Sequence, residues 1–396
     1  MKNWVTYSFY LIALISITSC KVPYNPPAIT AINNYLVVEG LINITDSTYI
    51  KLSRTVNLSS TSTTRPELKA VVTIESNTGS SYVLSELGNG SYAAVPLNLS
   101  ATNQYRLRIK TSNGSQYVSD FTNAMVSPPI DSVSFKATTD LKIYVSTHDP
   151  KNATHYYRWD FNEAWEFHPN FKSNYISDGL HIITRQPAQE IWDCFTGDAS
   201  ANITLGTSTQ LSQDVISQAL VNTIAPDAEK ISVKYTIGIN QYALTKDAYD
   251  YWALLQKNTE QLGSIFDAQP SASIGNIHGV TNPAEVVIGY ISAGTVATSR
   301  IFITKSQLPN WITTPFYPKC DADSLDCCGP PPPPFPPSTA MFVNFLNPIF
   351  QGYLTIQIPI DPILDPSLNI KGWLAAPPKC VDCTLRGSKV PPAYWK

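Results

Sequence analysis

Short runs of β-branched and aromatic residues, separated by turn residues, recur about every ten residues through the first third of this chain. The turn Asn77-Thr78-Gly79-Ser80, for example, separates the strand-like segments 71–74 and 82–84. Such spacing is typical of antiparallel sheets and leaves little room for long helices. It predicts an antiparallel β-sandwich of the immunoglobulin or transthyretin type over residues 32–127, closed by Pro128-Pro129.

The remainder of the chain, residues 128–396, is predicted to form a larger β-rich domain. Its clearest strand is marked by strict alternation, with apolar residues at Ile231, Val233, Tyr235, Ile237 and Ile239. Segments 286–291 and 300–303 are predicted to pair as a hairpin, and strand-like segments return at 341–345 and 353–358. The fold class expected for the whole chain is therefore mainly β.

One main helix is predicted over residues 246–262, directly after the alternating strand. Thr245 can cap its first turn, Asp247 favours the positive end of the helix, and Gly263 can end it. One helix face carries a mostly apolar stripe, which we interpret as a packing face against a sheet rather than a cofactor site. This stripe consists of Ala248, Trp252, Leu255, Thr259 and Leu262.

The composition narrows the class of protein. Charged residues make up 14% of the chain, with 27 Lys and Arg against 30 Asp and Glu, whereas soluble domains average about 25%. No basic surplus is present to neutralise phosphates, so nucleic acid is not an expected partner. Hydrophobic residues reach 43%, which excludes wholesale disorder and favours an exported, strand-rich protein.

The N-terminus carries an export signal. Lys2 precedes an apolar run over 5–17 that is too short to span a bilayer and ends in small residues, so residues 1–19 are predicted to be a signal peptide. The cysteine that follows resembles the lipidated cysteine of a bacterial lipobox. Cys20 is therefore the predicted acylation site, and residues 20–31 form an extended tether to the membrane. The alternatives are a cleaved signal with an incidental cysteine and a short membrane anchor.

The chain contains seven cysteines, and those other than Cys20 are candidates for disulfides: Cys194, Cys320, Cys327, Cys328, Cys380 and Cys383. In an exported protein this set implies up to three bridges, with about 15 possible connectivities. Most of them flank the Pro-rich insert 329–337, which is predicted to be an exposed polyproline II spacer, or alternatively a docking segment. A zinc site at 380–383 is the alternative to disulfides, but the second cysteine pair lacks the spacer that zinc sites use. We therefore predict a disulfide-stapled C-terminal region and no metal.

No sequence motif points to catalysis. The chain lacks the usual signatures of zinc proteases, serine hydrolases, nucleotide-binding loops and dinucleotide-binding turns. Glu163 and Glu166 could serve a glycosidase only if their carboxyl groups converged on a cleft. Trp159, Trp165 and Trp192 could form a platform for a ligand, or could equally be core residues. We predict no catalytic residues, no cofactor and no enzymatic activity.

A further set of segments runs through the chain: 36–40 (LVVEG), 50–55 (IKLSRT), 242–244 (YAL), 261–267 (QLGSIFD), 269–271 (QPS), 275–278 (GNIH), 287–290 (VIGY) and 380–387 (CVDCTLRG), with Trp395. Together these segments resemble the Bacteroidota lipoproteins of domain of unknown function 4249, and the resemblance covers nearly the whole mature chain. The Pro-rich insert departs from this resemblance.

The resemblance implies an outer-membrane lipoprotein that assists a TonB-dependent receptor, a large barrel that imports nutrients. It transfers no catalytic residue. Lys21 is not the aspartate that holds lipoproteins at an inner membrane, which agrees with an outer-membrane location on either face. The expected function is non-enzymatic capture of a ligand for such a transporter. A structural or adhesive role at the cell surface is the alternative, and a hydrolase is the third hypothesis.

Overall fold

The computed structural model describes residues 34–56, 65–177, 182–260, 275–326 and 357–395. The predicted signal peptide, Cys20, the tether, the Pro-rich insert, the segment 341–345 and the pair Cys327 and Cys328 all lie outside these residues. The described chain is mainly β, as predicted. The immunoglobulin or transthyretin type of the N-terminal unit stays a prediction.

The strands follow one another closely along the chain. The first are β1 (Leu36–Asn43), β2 (Thr48–Arg54), β3 (Arg65–Pro66), β4 (Val71–Ser76), β5 (Ser81–Val83), β6 (Ser85–Gly88), β7 (Ser91–Ala94), β8 (Gln104–Lys110), β9 (Gln116–Ser119) and β10 (Thr122–Met125). The middle ones are β11 (Ile130–Ala137), β12 (Leu141–His148), β13 (Tyr156–Phe167), β14 (Tyr175–Ser177), β15 (Ile182–Thr184), β16 (Cys194–Ala199), β17 (Thr204–Thr207), β18 (Val215–Ile224) and β19 (Lys234–Ala243).

Helix α1 (Lys246–Glu260) separates these strands from the last group: β20 (Ile277–Gly279), β21 (Val287–Ile288), β22 (Ser292–Gly294), β23 (Val296–Thr304), β24 (Asp323–Asp326), β25 (Ile358–Leu364) and β26 (Ile370–Ala376). Short 3₁₀ turns occur at Pro187–Gln189, Glu229–Ile231, Lys305–Gln307, Pro378–Cys380 and Cys383–Leu385.

The N-terminal sheet is completed by strands from much later in the chain. β20 pairs with β9, while β22 lies between β10 and β1 and runs parallel to both. Ile277, Val287 and Ile291 are buried in the same core as β1 and β2. The unit predicted over 32–127 therefore also takes in residues 277–294.

The predicted hairpin between 286–291 and 300–303 is wrong. Val287 and Ile288 pair with β1, whereas residues 300–303 lie in β23 and pair with β19. The small residues between the two segments therefore do not turn the chain back on itself. They carry it from the first sheet into the second, because β1 and β19 each offer an edge to which a further strand can hydrogen-bond.

Alternation along the strands separates the first core from a charged outer face. Val72 and Ile74 on β4 are fully buried. The residues that alternate with these two along β4 face outward, and Glu75 is one of them. On the neighbouring strand β8, Arg106 lies directly opposite Glu75 and Arg108 lies diagonal to it. Its carboxylate is 2.7 Å from Arg106 Nε and 2.5 Å from Arg108 Nε. These contacts hold the pKa of Glu75 below its ordinary value, with the Arg108 hydrogen bond as the largest cause.

Replacing Glu75 by glutamine is expected to lower the free energy of unfolding at neutral pH by about 1 kcal/mol. Because the folded-state pKa of Glu75 is depressed, its contribution is present above the unfolded-state pKa and is lost as pH falls through the folded-state pKa. The stability curves of Glu75→Gln and the native protein should therefore converge in acid. Urea unfolding at a series of pH values measures this, and a difference that persists unchanged at low pH would contradict the assignment.

The second unit packs two sheets face to face. One has the order β11-β12-β18, and the other has the order β16-β13-β19-β23 with β17 also paired to β13. Trp159 on β13 is 1% exposed, and its Nε1 donates to Gln241 Oε1 at 2.9 Å.

The predicted alternating strand is present as β19, although Ile231 belongs to the preceding 3₁₀ turn. Thr236 is also fully buried, since β19 has neighbours on both edges and both faces.

Helix α1 begins at Lys246, where the sequence predicted it. Thr245 Oγ1 accepts a hydrogen bond from the Ala248 backbone N–H at 3.3 Å, which confirms the N-cap. Ala248 is buried, but Trp252 and Leu255 are half-buried and Thr259 is exposed. The predicted stripe is therefore fully buried only at its start. Gly263 and Leu262 lie outside the described residues.

The C-terminal region is fastened to the second unit at several points. Four of the candidate cysteines form two disulfides, Cys194–Cys383 and Cys320–Cys380. Arg386 makes two parallel hydrogen bonds to the Glu229 carboxylate, of 2.8 and 2.6 Å. At the end of the chain the Trp395 ring lies edge-on to Phe195, with centroids 5.0 Å apart.

Candidate functional site

A cleft of about 490 Å³ lies where the first sheet meets helix α1 and the strands β13 and β19. Binding sites in proteins favour such boundaries between packed units. One wall comes from β1 and the chain around Tyr290, and the other comes from β13, β19 and the helix. Its aromatic lining residues are Tyr49, Tyr242, Tyr251, Trp252 and Tyr290, and its charged ones are Glu39, Arg158 and Asp160.

Arg158 is the central polar group of this cleft. The register of β13 against β19 places Arg158 directly beside Tyr242. Its guanidinium lies 4.3 Å from the Tyr242 ring centre and 4.4 Å from that of Trp252, so it is held between two aromatic faces. The Nε atom of Arg158 is buried and has no hydrogen-bond partner among the described residues. The guanidinium is thus fixed in place with donor capacity unused.

Asp160 is the counter-charge to this arginine. One carboxylate oxygen accepts from Arg158 Nη2 at 3.3 Å, and the other accepts from Asn240 Nδ2 at 2.7 Å. Burial raises the pKa of Tyr242, and the negative charge of Asp160 raises it further. Tyr242 therefore stays a neutral phenol at physiological pH.

The opposite wall depends on one glycine. Gly289 has a φ of +135°, and a Cβ at this position would lie 2.1 Å from the Val38 carbonyl oxygen. Only glycine therefore allows the chain to approach β1 this closely. The approach brings Tyr290 against the helix, with its ring centre 5.3 Å from that of Tyr251. The two walls are thus joined by aromatic contacts.

The cleft combines flat apolar surface with a few fixed polar groups. Tyr49 is 61% exposed at its edge, so one aromatic face is open to solvent. Rigid aromatic side chains offer contact area at a small loss of conformational entropy. Arg158, Asp160 and Glu39 can orient a ligand that carries polar substituents. This arrangement suits an organic molecule that has a planar or ring-shaped face.

The tryptophans that were considered either as a ligand platform or as core residues have different surroundings in the structure. Trp159 is a core residue, and Trp192 instead stacks on His168 with ring centres 4.5 Å apart. The two aromatic residues that hold Arg158 were not predicted as a site, since Trp252 was assigned to the packing stripe of the helix and Tyr242 appeared only in the family-like segment 242–244. The signal in the sequence was weak, because Arg158 and Tyr242 become neighbours only once β13 and β19 are paired in register.

The two glutamates considered for glycosidase chemistry do not converge. Glu163 is 5% exposed and is bound by Lys230, Tyr235 and Asn222. Glu166 lies three positions along the same strand and so points to the other face of the sheet. Their carboxyl groups cannot share one substrate.

A serine, a histidine and an aspartate meet in the second unit without forming a catalytic triad. Ser208 Oγ donates to Asp214 Oδ1 at 2.5 Å and lies 3.1 Å from His155 Nδ1. In a triad the histidine stands between the serine and the aspartate. Here the serine stands in the middle and is fully buried, as is Asp214. This cluster is a buried hydrogen-bond network.

A second cavity, of about 540 Å³, is polar and lies on the first unit. The buried arginine of its lining, Arg54, already has carboxylate partners. Arg54 is 8% exposed and forms ion pairs with Glu67 at 2.7 Å and Glu285 at 3.4 Å. Because Glu285 precedes β21, this arginine ties the returning segment to β2. We interpret the group as a structural cross-link.

Comparisons with known proteins identify a family but no activity. The family model described as "Domain of unknown function (DUF4249)" matches residues 21–300. The C-terminal segment 380–387 and Trp395 lie beyond this match, so the match is shorter than the predicted resemblance. A comparison with curated proteins gives no match.

Among solved structures, the chain is similar to the adhesin InvE of Yersinia pseudotuberculosis. The identity is 14%, the similarity covers 54% of this chain and 55% of that chain, and the TM-score is 0.16. The chain thus spans about half the length of this structure, and a similarity at this level supports no argument about fold or function. Within the described residues, no helix has the length and apolar character needed to cross a membrane.

Proposed function

This chain belongs to the DUF4249 family, and from that premise we propose that it is a lipid-anchored, non-enzymatic binding protein of the outer membrane. In this proposal Cys20 carries the lipid, and the aromatic cleft captures a small organic ligand. The ligand is then passed to a TonB-dependent transporter in nutrient uptake.

The cleft around Arg158 is the observation that carries this proposal. Arg158 is clamped between Tyr242 and Trp252 before any ligand arrives, so binding does not require it to be ordered. The Arg158 side chain lines the cleft and keeps 20% of its surface exposed, so a ligand oxygen could accept from the exposed part of its guanidinium. A site that is arranged in advance, and in which the described lining residues pair no nucleophile with a base, suits capture rather than chemistry.

Replacing Trp252 by alanine is expected to weaken ligand binding by about thirtyfold or more, since central aromatic residues in a binding site contribute about 2 kcal/mol or more. Native mass spectrometry of the protein purified from its own membranes would identify the retained ligand, and calorimetry with that ligand would give the affinity. Trp192→Ala is the matched control, because Trp192 is also half-buried but lies outside the cleft. If the Trp252→Ala and Trp192→Ala variants bound the ligand with equal affinity, the cleft would not be the binding site.

The proposed association with a transporter is tested by a pull-down of this protein from its native membrane in mild detergent. Co-purification of a TonB-dependent barrel is expected, and recovery of this protein alone would contradict that part of the proposal. A deletion strain that keeps normal nutrient uptake but loses surface attachment would select the adhesive alternative instead.

A further inference from the structure

Three potential metal ligands meet at the end of β13, far from the cleft. Glu166 and His168 are two positions apart and therefore project from the same face of the extended chain. The antiparallel register pairs Phe167 with Cys194, so the next position brings Asp193 beside His168. One ligand atom from each of Glu166, His168 and Asp193 lies within 4.8 Å of the others.

The surrounding structure holds this group in place. His168 Nε2 lies 2.9 Å from Asp193 Oδ1, and the other side of the imidazole is packed on the Trp192 ring. Cys194, which follows Asp193, is fully buried and is bonded to Cys383. The ligand atoms therefore come from a paired strand end that a disulfide fixes, and not from a free loop.

The charge of the group is not balanced by the protein. Two carboxylates share one imidazole, and within the described ranges neither Glu166 nor Asp193 forms an ion pair with a lysine or arginine. Like charges at this separation are unfavourable unless a cation lies between them.

Two other histidine–aspartate pairs can be compared with the group at His168. His148 and Asp131 are 2.8 Å apart, and His278 and Asp120 are 3.2 Å apart. Neither pair has a third ligand group beside it in the part of the chain that the structure describes. These two pairs are ordinary surface contacts, whereas the group at His168 adds a third donor on the same face.

We propose that Glu166, His168 and Asp193 bind a divalent transition-metal ion, with Zn²⁺ as the probe. One imidazole nitrogen and two carboxylate oxygens form a donor set that such ions accept, and water fills the remaining position. Bonds of about 2.1 Å place tetrahedral ligand atoms about 3.4 Å apart, so only a small side-chain adjustment is needed. The site lies about 26 Å from Arg158 along an extended strand and does not depend on the proposed ligand cleft.

The test is calorimetric titration of the full-length, untagged protein with zinc chloride, after chelator treatment and alkylation of any free thiol. One equivalent is expected to bind, and the melting temperature should rise with zinc concentration. Glu166→Gln and His168→Ala should each weaken binding by about tenfold or more. His278→Ala, which removes a histidine from a pair with no third donor, should bind zinc as the native protein does.

Glu166→Gln retains the size of the side chain, and an unchanged melting temperature in the absence of zinc verifies that it folds. The proposal is overturned if the native protein binds no zinc, if zinc binds equally well to His168→Ala, or if His278→Ala loses as much affinity as the His168 variant.

Discussion

Replacing Cys194 and Cys383 together by alanine is expected to lower the free energy of unfolding by about 2–5 kcal/mol. The disulfide joins residues 189 positions apart, so its loss frees a long loop in the unfolded chain. It also connects the first residue of β16 to the C-terminal 3₁₀ turn that precedes Arg386. Chemical denaturation of the native and variant proteins under non-reducing conditions measures the difference.

The second disulfide provides the matched control. Cys320 and Cys380 close a loop of only 60 residues, and chain entropy then predicts a smaller loss for the corresponding double-alanine variant. Addition of a reductant to the native protein should lower its melting temperature at least as far as either double variant. If removing Cys194–Cys383 leaves the denaturation midpoint unchanged, the C-terminal segment does not stabilise the second unit.

Local patterns in the sequence predicted the elements but not their partners. Alternation identified β19, and the cap at Thr245 fixed the start of α1, because both signals depend only on neighbouring residues. The return of residues 277–294 to the first sheet was not predictable in this way. Periodicity shows which face of a strand is buried, but it does not show which of several open edges the strand will join.

The same limit explains why the cleft was missed. Arg158 and Tyr242 are far apart in the sequence and become neighbours only through the β13–β19 register. Tyr290 reaches the cleft because β21 and β22 lie beside β1, which draws the intervening chain against helix α1. The cysteines show the limit most simply, since about 15 pairings were open and the structure makes Cys194–Cys383 and Cys320–Cys380.

Glu163→Ala is expected to destabilise the protein by about 3–5 kcal/mol, because it removes one partner of a buried ionic group. Glu163 accepts from the Tyr235 hydroxyl at 2.6 Å and from Asn222 Nδ2 at 3.3 Å, and it forms an ion pair with Lys230. Burial raises the pKa of Tyr235, and the charge of Glu163 raises it further, so Tyr235 remains a donor. Alanine leaves this buried hydroxyl without its acceptor and Lys230 without its counter-ion.

Urea unfolding of three variants separates this structural role from a catalytic one. Glu163→Gln keeps an acceptor oxygen for Tyr235 and should lose less stability than Glu163→Ala. With a chelator present, so that the proposed metal site is empty, Glu166→Gln changes a half-buried glutamate of the same strand and should stay within about 0.5 kcal/mol of the native protein. A catalytic carboxylate is often held at the expense of stability, so its removal tends to stabilise the fold. If Glu163→Ala were more stable than the native protein, Glu163 would have to be reconsidered as a functional acid.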